Sequence, residues 1–122
     1  MNIRRIVMDI QSNNFDENRN FYENIIGLEV GMDLGWIMTF GSPSDPAAQL
    51  TVIKKDLTAP FNPNLTLEVE DVDEVYAKAV KHHLSVIHPL TDEPWGVRRF
   101  FVLDPNGLIV NVMSHFAKPS DG

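Results

Sequence analysis

Three side chains of this sequence could move a proton: His115, Glu68 and Asp9. Imidazole is the ordinary side chain that titrates nearest neutrality, and a carboxyl reaches that range when burial or a like charge raises it. His115 ends the segment LIVNVMSH and is either the polar terminus of a strand or a proton carrier; Glu68, in LTLEV, is its candidate catalytic partner. Arg5, in IRRIVMDIQ, is a permanent cation. Asp9 and Glu68 could therefore neutralise it, bind a cationic ligand or act as a general base. Aromatic and soft side chains supply a second chemistry. Trp36, Met38 and Phe40 share one face of WIMTFG, and Trp95 precedes Gly96 at a bend; such groups either stack planar or cationic ligands or fill a core or an interface. Arg98 and Arg99 alternate, so only one can face inward, as a paired charge or an anion clamp; Arg98 is carried as the candidate. His82, His83 and His88 form no ligand spacing, and the first two cap or follow a helix end.

These groups need elements to hold them, and hydrophobic periodicity supplies the same order of elements twice. IRRIVMDIQ alternates as a strand, a helix is expected within residues 15–26, and LEVGM, WIMTFG and AAQLTVIKK read as three further strands. After KDLTAPFNP, a linker at 55–63, the order restarts with NLTLEV. Asp71 and Glu74 then stand at capping-box spacing, ahead of an apolar stripe of Val72, Val75, Tyr76, Ala79 and Val80. SVIHPL, VRRFFVL and LIVNVMSH follow, the last two joined by Asp104-Pro105-Asn106-Gly107, which is hairpin chemistry. The expectation is one α+β domain spanning 1–122, built from two tandem βαβββ units at about 3–54 and 64–115 with a pseudo-twofold axis. Each helix would cover the outer face of its own sheet. The opposite faces carry Arg5, Val7 and Asp9; Gln49, Thr51 and Ile53; Asn64, Thr66 and Glu68; and Asn111, Met113 and His115. That mixed lining suits either a cavity or a solvated sheet face.

Composition narrows the class. The formal charge of -7, from 17 acidic and 10 basic residues, opposes binding to a phosphate backbone. The absence of cysteine removes disulfides and thiolate chemistry. No segment has the apolar length of a signal peptide or a membrane span, so a soluble cytoplasmic protein is expected, with no nucleic-acid and no membrane partner.

The segments NFYENIIGLEV, LTLEVEDVDEVYAKAV and above all PWGVRRFFVLDPNGLIVNV resemble the vicinal oxygen chelate superfamily of glyoxalases, extradiol dioxygenases, fosfomycin-resistance enzymes and bleomycin-binding proteins. The resemblance runs from about Ile3 to His115 and implies curved mixed sheets around a cavity. It also implies divalent-metal ligands at the positions of Arg5, of Gln49 or Thr51, of Asn64 and of Asn111. Arginine has no lone pair to give, and asparagine is a weak neutral ligand. The chain is therefore more similar to the metal-free, bleomycin-resistance-like members, which implies no cofactor, a homodimer, and sequestration of a small aromatic or cationic molecule. Rival readings are an enzyme of the same superfamily working through Glu68 and His115, and a non-catalytic interaction or regulatory module. The expected ligand-binding set is Arg5, Asp9, Trp36, Met38, Phe40, Gln49, Asn64, Trp95, Arg98, Asn111 and Met113.

Overall fold

The computed structural model describes residues 2–116. Eight strands form one continuous sheet: β1 (Ile3–Gln11), β2 (Glu29–Asp33), β3 (Ile37–Ser42), β4 (Asp45–Ile53), β5 (Leu65–Val69), β6 (Val86–Asp92), β7 (Val97–Leu103) and β8 (Ile109–His115). Their order across the sheet is β2-β3-β4-β1-β5-β8-β7-β6. The first strand of each unit pairs parallel with the last, β1 with β4 and β5 with β8, and the other pairs within each unit are antiparallel. The two units meet along an antiparallel β1·β5 seam, where Arg5 stands opposite Glu68 and Val7 opposite Thr66. The α+β fold of repeated βαβββ units expected from periodicity is the fold observed.

One helix covers the outer face of each unit. In α2 (Val72–Lys81) the Asp71 side chain accepts from the Glu74 amide, which satisfies one of the free donors of the first turn. The helix ends on His82, and His83 follows with φ +57°. Its inner side joins a core of Val69, Val72, Ala79, Phe100, Val110 and Val112. The first helix departs from a simple amphipathic α-helix. It begins as α1 (Phe15–Arg19) and widens into a π-helical stretch over Asn20–Ile25, with the Ile26 amide reaching back to the Phe21 carbonyl. Phe15 and Tyr22 pack on Met38, Phe40 and Val52, whereas Phe21, Ile25 and Ile26 are exposed. The wider turn interrupts the 3.6-residue period of an ordinary amphipathic helix.

The hairpin joining β7 to β8 follows its sequence closely. The Asp104 carboxylate accepts from the Asn106 and Leu108 amides at 2.8 and 2.9 Å, and Gly107 supplies the φ of +83° that the turn needs. Register from this turn sets Phe101 against Asn111 and Arg99 against Met113, which fixes what β7 and β8 show to the concave face.

Candidate functional site

The concave face of the sheet encloses a cavity of about 340 Å³. Strand alternation delivers its wall. Arg5, Val7 and Asp9 come from β1, Thr39 from β3, Gln49 and Thr51 from β4, Thr66 from β5, Val97 from β7, and Asn111, Met113 and His115 from β8, with Trp95 from the bend before β7. Both units contribute to the wall. The mixed faces of the two repeats thus form a cavity rather than a solvated surface.

At its mouth lies a chain of charges. Arg5 Nε donates to Glu68 Oε1 and Arg5 Nη1 donates to Gln49 Oε1. The second Glu68 oxygen lies 2.9 Å from His115 Nδ1. The ion pair arises directly from the seam, because Arg5 and Glu68 are opposite residues on one face of an antiparallel pair. Burial pushes the Glu68 carboxyl up, but the His115 hydrogen bond and the charge of Arg5 outweigh it and hold the group below its ordinary value. His115 is nearly half exposed and marks the solvent edge of the site.

The floor is different. Asp9 Oδ2 accepts from Thr66 Oγ1 at 2.6 Å, and Thr66 Oγ1 in turn accepts from Asn111 Nδ2 at 3.1 Å. Burial raises the Asp9 carboxyl to about 7, against the lowering effect of the Thr66 hydrogen bond and of the Arg99 charge. Asp9 and Glu68, expected as equivalent groups, thus part company: Glu68 neutralises Arg5, while Asp9 sits deeper on neutral partners.

Behind the Trp95 wall lies a buried ionic network. Arg99 is 1 % exposed; it bonds both Asp56 oxygens at 2.8 Å, Glu93 Oε2 at 2.6 Å and Thr58 Oγ1 at 2.9 Å. His88 Nε2 meets the same Glu93 oxygen at 3.1 Å. The guanidinium also stands 4.7 Å from the Phe101 ring and 5.0 Å from the Trp95 ring, and Trp95 Nε1 donates to Thr58 Oγ1 at 3.0 Å. Trp95 is therefore held in place by the linker and by β7 together.

Of the residues expected in the site, Arg5, Asp9, Gln49, Trp95, Asn111, Met113 and His115 line the cavity, and Glu68 bridges Arg5 and His115 at its mouth. Five do not line it. Met38 and Phe40 point to the opposite side, into the core beneath α1, because β3 begins at Ile37 and gives Ile37 and Thr39 the concave positions. Trp36 precedes that strand, just after Gly35 at φ +85°, and packs edge-on against Trp95 at 5.7 Å. Asn64 lies one residue before β5, exposed, its Oδ1 spent on the Ile109 amide at 2.9 Å. Arg98 faces outward, on Asp73 of α2 and Asp92 of β6, and Arg99 is the inward member of the pair. Thr66, Thr51 and the Asp56–Arg99–Glu93 network were missed as site features. The two threonines fall on the mixed faces, a signal that was present, whereas nothing in the spacing of Asp56, Glu93 and Arg99 joins them.

The metal position implied by the resemblance can be tested on these donors. Gln49 Oε1 and Glu68 Oε1, the oxygens best placed to be ligands, both accept from Arg5, whose fixed positive charge stands where a cation would have to be. Asn111 offers one neutral oxygen, and among the described residues no three His, Cys, Asp or Glu side chains converge. This donor set does not suit a divalent transition metal.

The fold is shared with solved structures. A protein described as an NAD-dependent benzaldehyde dehydrogenase from Legionella pneumophila is 17% identical, with a TM-score of 0.73 over 91% of this chain and 99% of that one. A glyoxalase/bleomycin resistance protein/dioxygenase superfamily member from Vibrio splendidus 12B01 is 14% identical, with a TM-score of 0.69 over 90% of this chain and 97% of that one. The Mn(II)-bound glyoxalase from Novosphingobium aromaticivorans is 22% identical, with a TM-score of 0.63; the match covers 92% of this chain but 38% of that longer one. At these identities the likeness is one of fold. No curated protein matches the chain. The family profile, however, spans residues 3–112, nearly all of the sheet and both helices, and by that match the chain belongs to the Glyoxalase/Bleomycin resistance protein/Dioxygenase superfamily.

Proposed function

We propose that this chain is a small-molecule-binding or sequestering protein whose cavity works without a divalent metal. The observation that carries the reading is Arg5, seated on Gln49 and Glu68 at the cavity mouth and leaving those oxygens no role as ligands. A largely preformed cavity with apolar walls at Val7, Val97 and Met113 and a few convergent polar groups suits a planar organic ligand, aromatic or cationic, resting against Trp95. Two chains would pair as a homodimer, a reading supported by Ile6 and Met8, 64 % and 61 % exposed on the outer face of β1. Native mass spectrometry of the purified protein, with elemental analysis and sedimentation of the same sample, tests the whole reading. It expects a retained organic molecule, no stoichiometric metal and about twice the chain mass. One divalent ion per chain, needed for turnover of a bound compound, would overturn it.

A second reading, proton-transfer catalysis, is favoured by Asp9 more than by Glu68 and His115. Asp9 lines the cavity with a carboxyl raised to about 7, close to the range a general base needs, whereas Glu68 is already neutralised. Recovery of the co-purifying molecule chemically altered after incubation would select this reading.

A further inference from the structure

We infer that the cavity floor selects ligands presenting an N–H or O–H donor, of the amide, amidine or phenol class, to the side-chain carbonyl of Asn111, and discriminates against ligands that can only accept. This rests on the binding function proposed above and deepens it.

The inference follows from counting protons. Thr66 has one hydroxyl proton, and Asp9 Oδ2 at 2.6 Å takes it. The same hydroxyl oxygen then has lone pairs only, and it receives the Asn111 amide N–H at 3.1 Å. This chain fixes which way the Asn111 amide faces, with its nitrogen toward Thr66. Its carbonyl oxygen is left over. Asn111 is 5% exposed and lines the cavity, yet its Oδ1 is the buried side-chain polar atom without a hydrogen-bond partner among the described residues. A buried acceptor of that kind is normally satisfied, so one that is not points to a donor from outside the chain. The remaining Asp9 oxygen, which has no partner among the described residues, becomes a second acceptor on the same floor once the carboxyl is ionised above about pH 7, while Thr66 has no proton left to offer. The wall around these acceptors is mixed, with the apolar Val7, Val97 and Met113 beside the hydroxyls of Thr39 and Thr51. A flat ring carrying a donor at one end matches that pattern.

Four probes with the same ring separate the alternatives: benzamide, benzamidine, benzoate and toluene. Their affinities are measured by calorimetry and by tryptophan emission in the wild-type protein and in Asn111→Leu and Asn111→Asp, each variant first checked for an unchanged far-ultraviolet dichroism spectrum. Benzamide and benzamidine should bind more tightly than benzoate. Asn111→Leu should weaken benzamide by about tenfold, the scale of one lost hydrogen bond, while leaving toluene nearly unchanged. Asn111→Asp, which keeps an acceptor, should hold benzamide better than Asn111→Leu does. Benzoate binding as tightly as benzamide would overturn the inference and move the anchor to Arg5. Benzamide unaffected by Asn111→Leu would overturn it as well. If none of the four bound, the binding function itself would fall and this inference with it.

Discussion

His115 Nδ1 lies 2.9 Å from Glu68 Oε2, while the other oxygen of that carboxylate accepts from Arg5, so a single anion joins the far end of β8 to the start of β1. Glu68 is thereby the electrostatic keystone of the mouth rather than a base waiting for substrate. Replacing it by glutamine keeps the size and removes the charge. Glu68→Gln should leave Arg5 unneutralised and raise the affinity for benzoate about three- to tenfold at low salt, an advantage that added salt erases. Calorimetric titration at two ionic strengths checks this, and an unchanged or weaker benzoate affinity would show that Arg5 is neutralised elsewhere.

Removing the guanidinium should do the opposite and make room for a metal. Arg5→His would free the Gln49 and Glu68 oxygens and add an imidazole on the same inward position of β1. Zinc or nickel binding, which the proposed function does not expect of the wild-type protein, should appear in the variant and raise its melting temperature with metal concentration. Melting curves with and without chelator decide it.

Asp9 gives the stability a pH dependence of definite sign. Its carboxyl stands at about 7 in the folded chain and near the ordinary carboxylate value when unfolded. The folded state therefore holds a proton that the unfolded state gives up. The associated stability is complete below the unfolded value and is lost as pH rises from about 4 through about 7. Asp9→Asn cannot lose that proton and keeps an oxygen for Thr66. Urea unfolding at pH 5 and pH 8 should find the variant gaining about 1–3 kcal/mol over the wild-type protein at the higher pH. A parallel pH dependence in the two proteins would mean that Asp9 is better solvated than its place on the floor implies.

Arg99 should be the most costly of the site residues to remove. Arg99→Met would leave Asp56 and Glu93, each 3 % exposed, without their counter-charge. A loss of about 3–5 kcal/mol is expected. Because Thr58 carries both Arg99 and Trp95, tryptophan emission should shift to the red in the folded variant. Urea melts and emission spectra recorded below the transition give both readouts.

How far the sequence could be read depended on whether a residue's place follows from local period. Asn111, Met113 and His115 share the concave face because β8 alternates without interruption after a turn whose residues specify its own register. The same alternation puts Met38 and Phe40 on one face of β3 without saying which face is concave, and theirs is the one that the first helix covers. Asn64 failed by a single residue at a strand start. The choice between Arg98 and Arg99 was beyond reach for another reason. It is settled by Asp56, more than forty positions away in a linker that carries no periodic signal. Periodicity also identified a mixed face without saying whether that face was enclosed, since enclosure comes from the curvature of the whole sheet.

The β1·β5 seam has a consequence for assembly. Arg5 meets Glu68 across it, and Asp9 meets Thr66 one step along, so neither half of the chain owns a complete mouth or a complete floor. A species with one unit ordered and the other not would have a helix, a sheet and a core, but nothing able to recognise a ligand. Under the proposed function, binding would require both units together, and a small molecule bound there would act as a clamp on the two repeats, reinforcing their union.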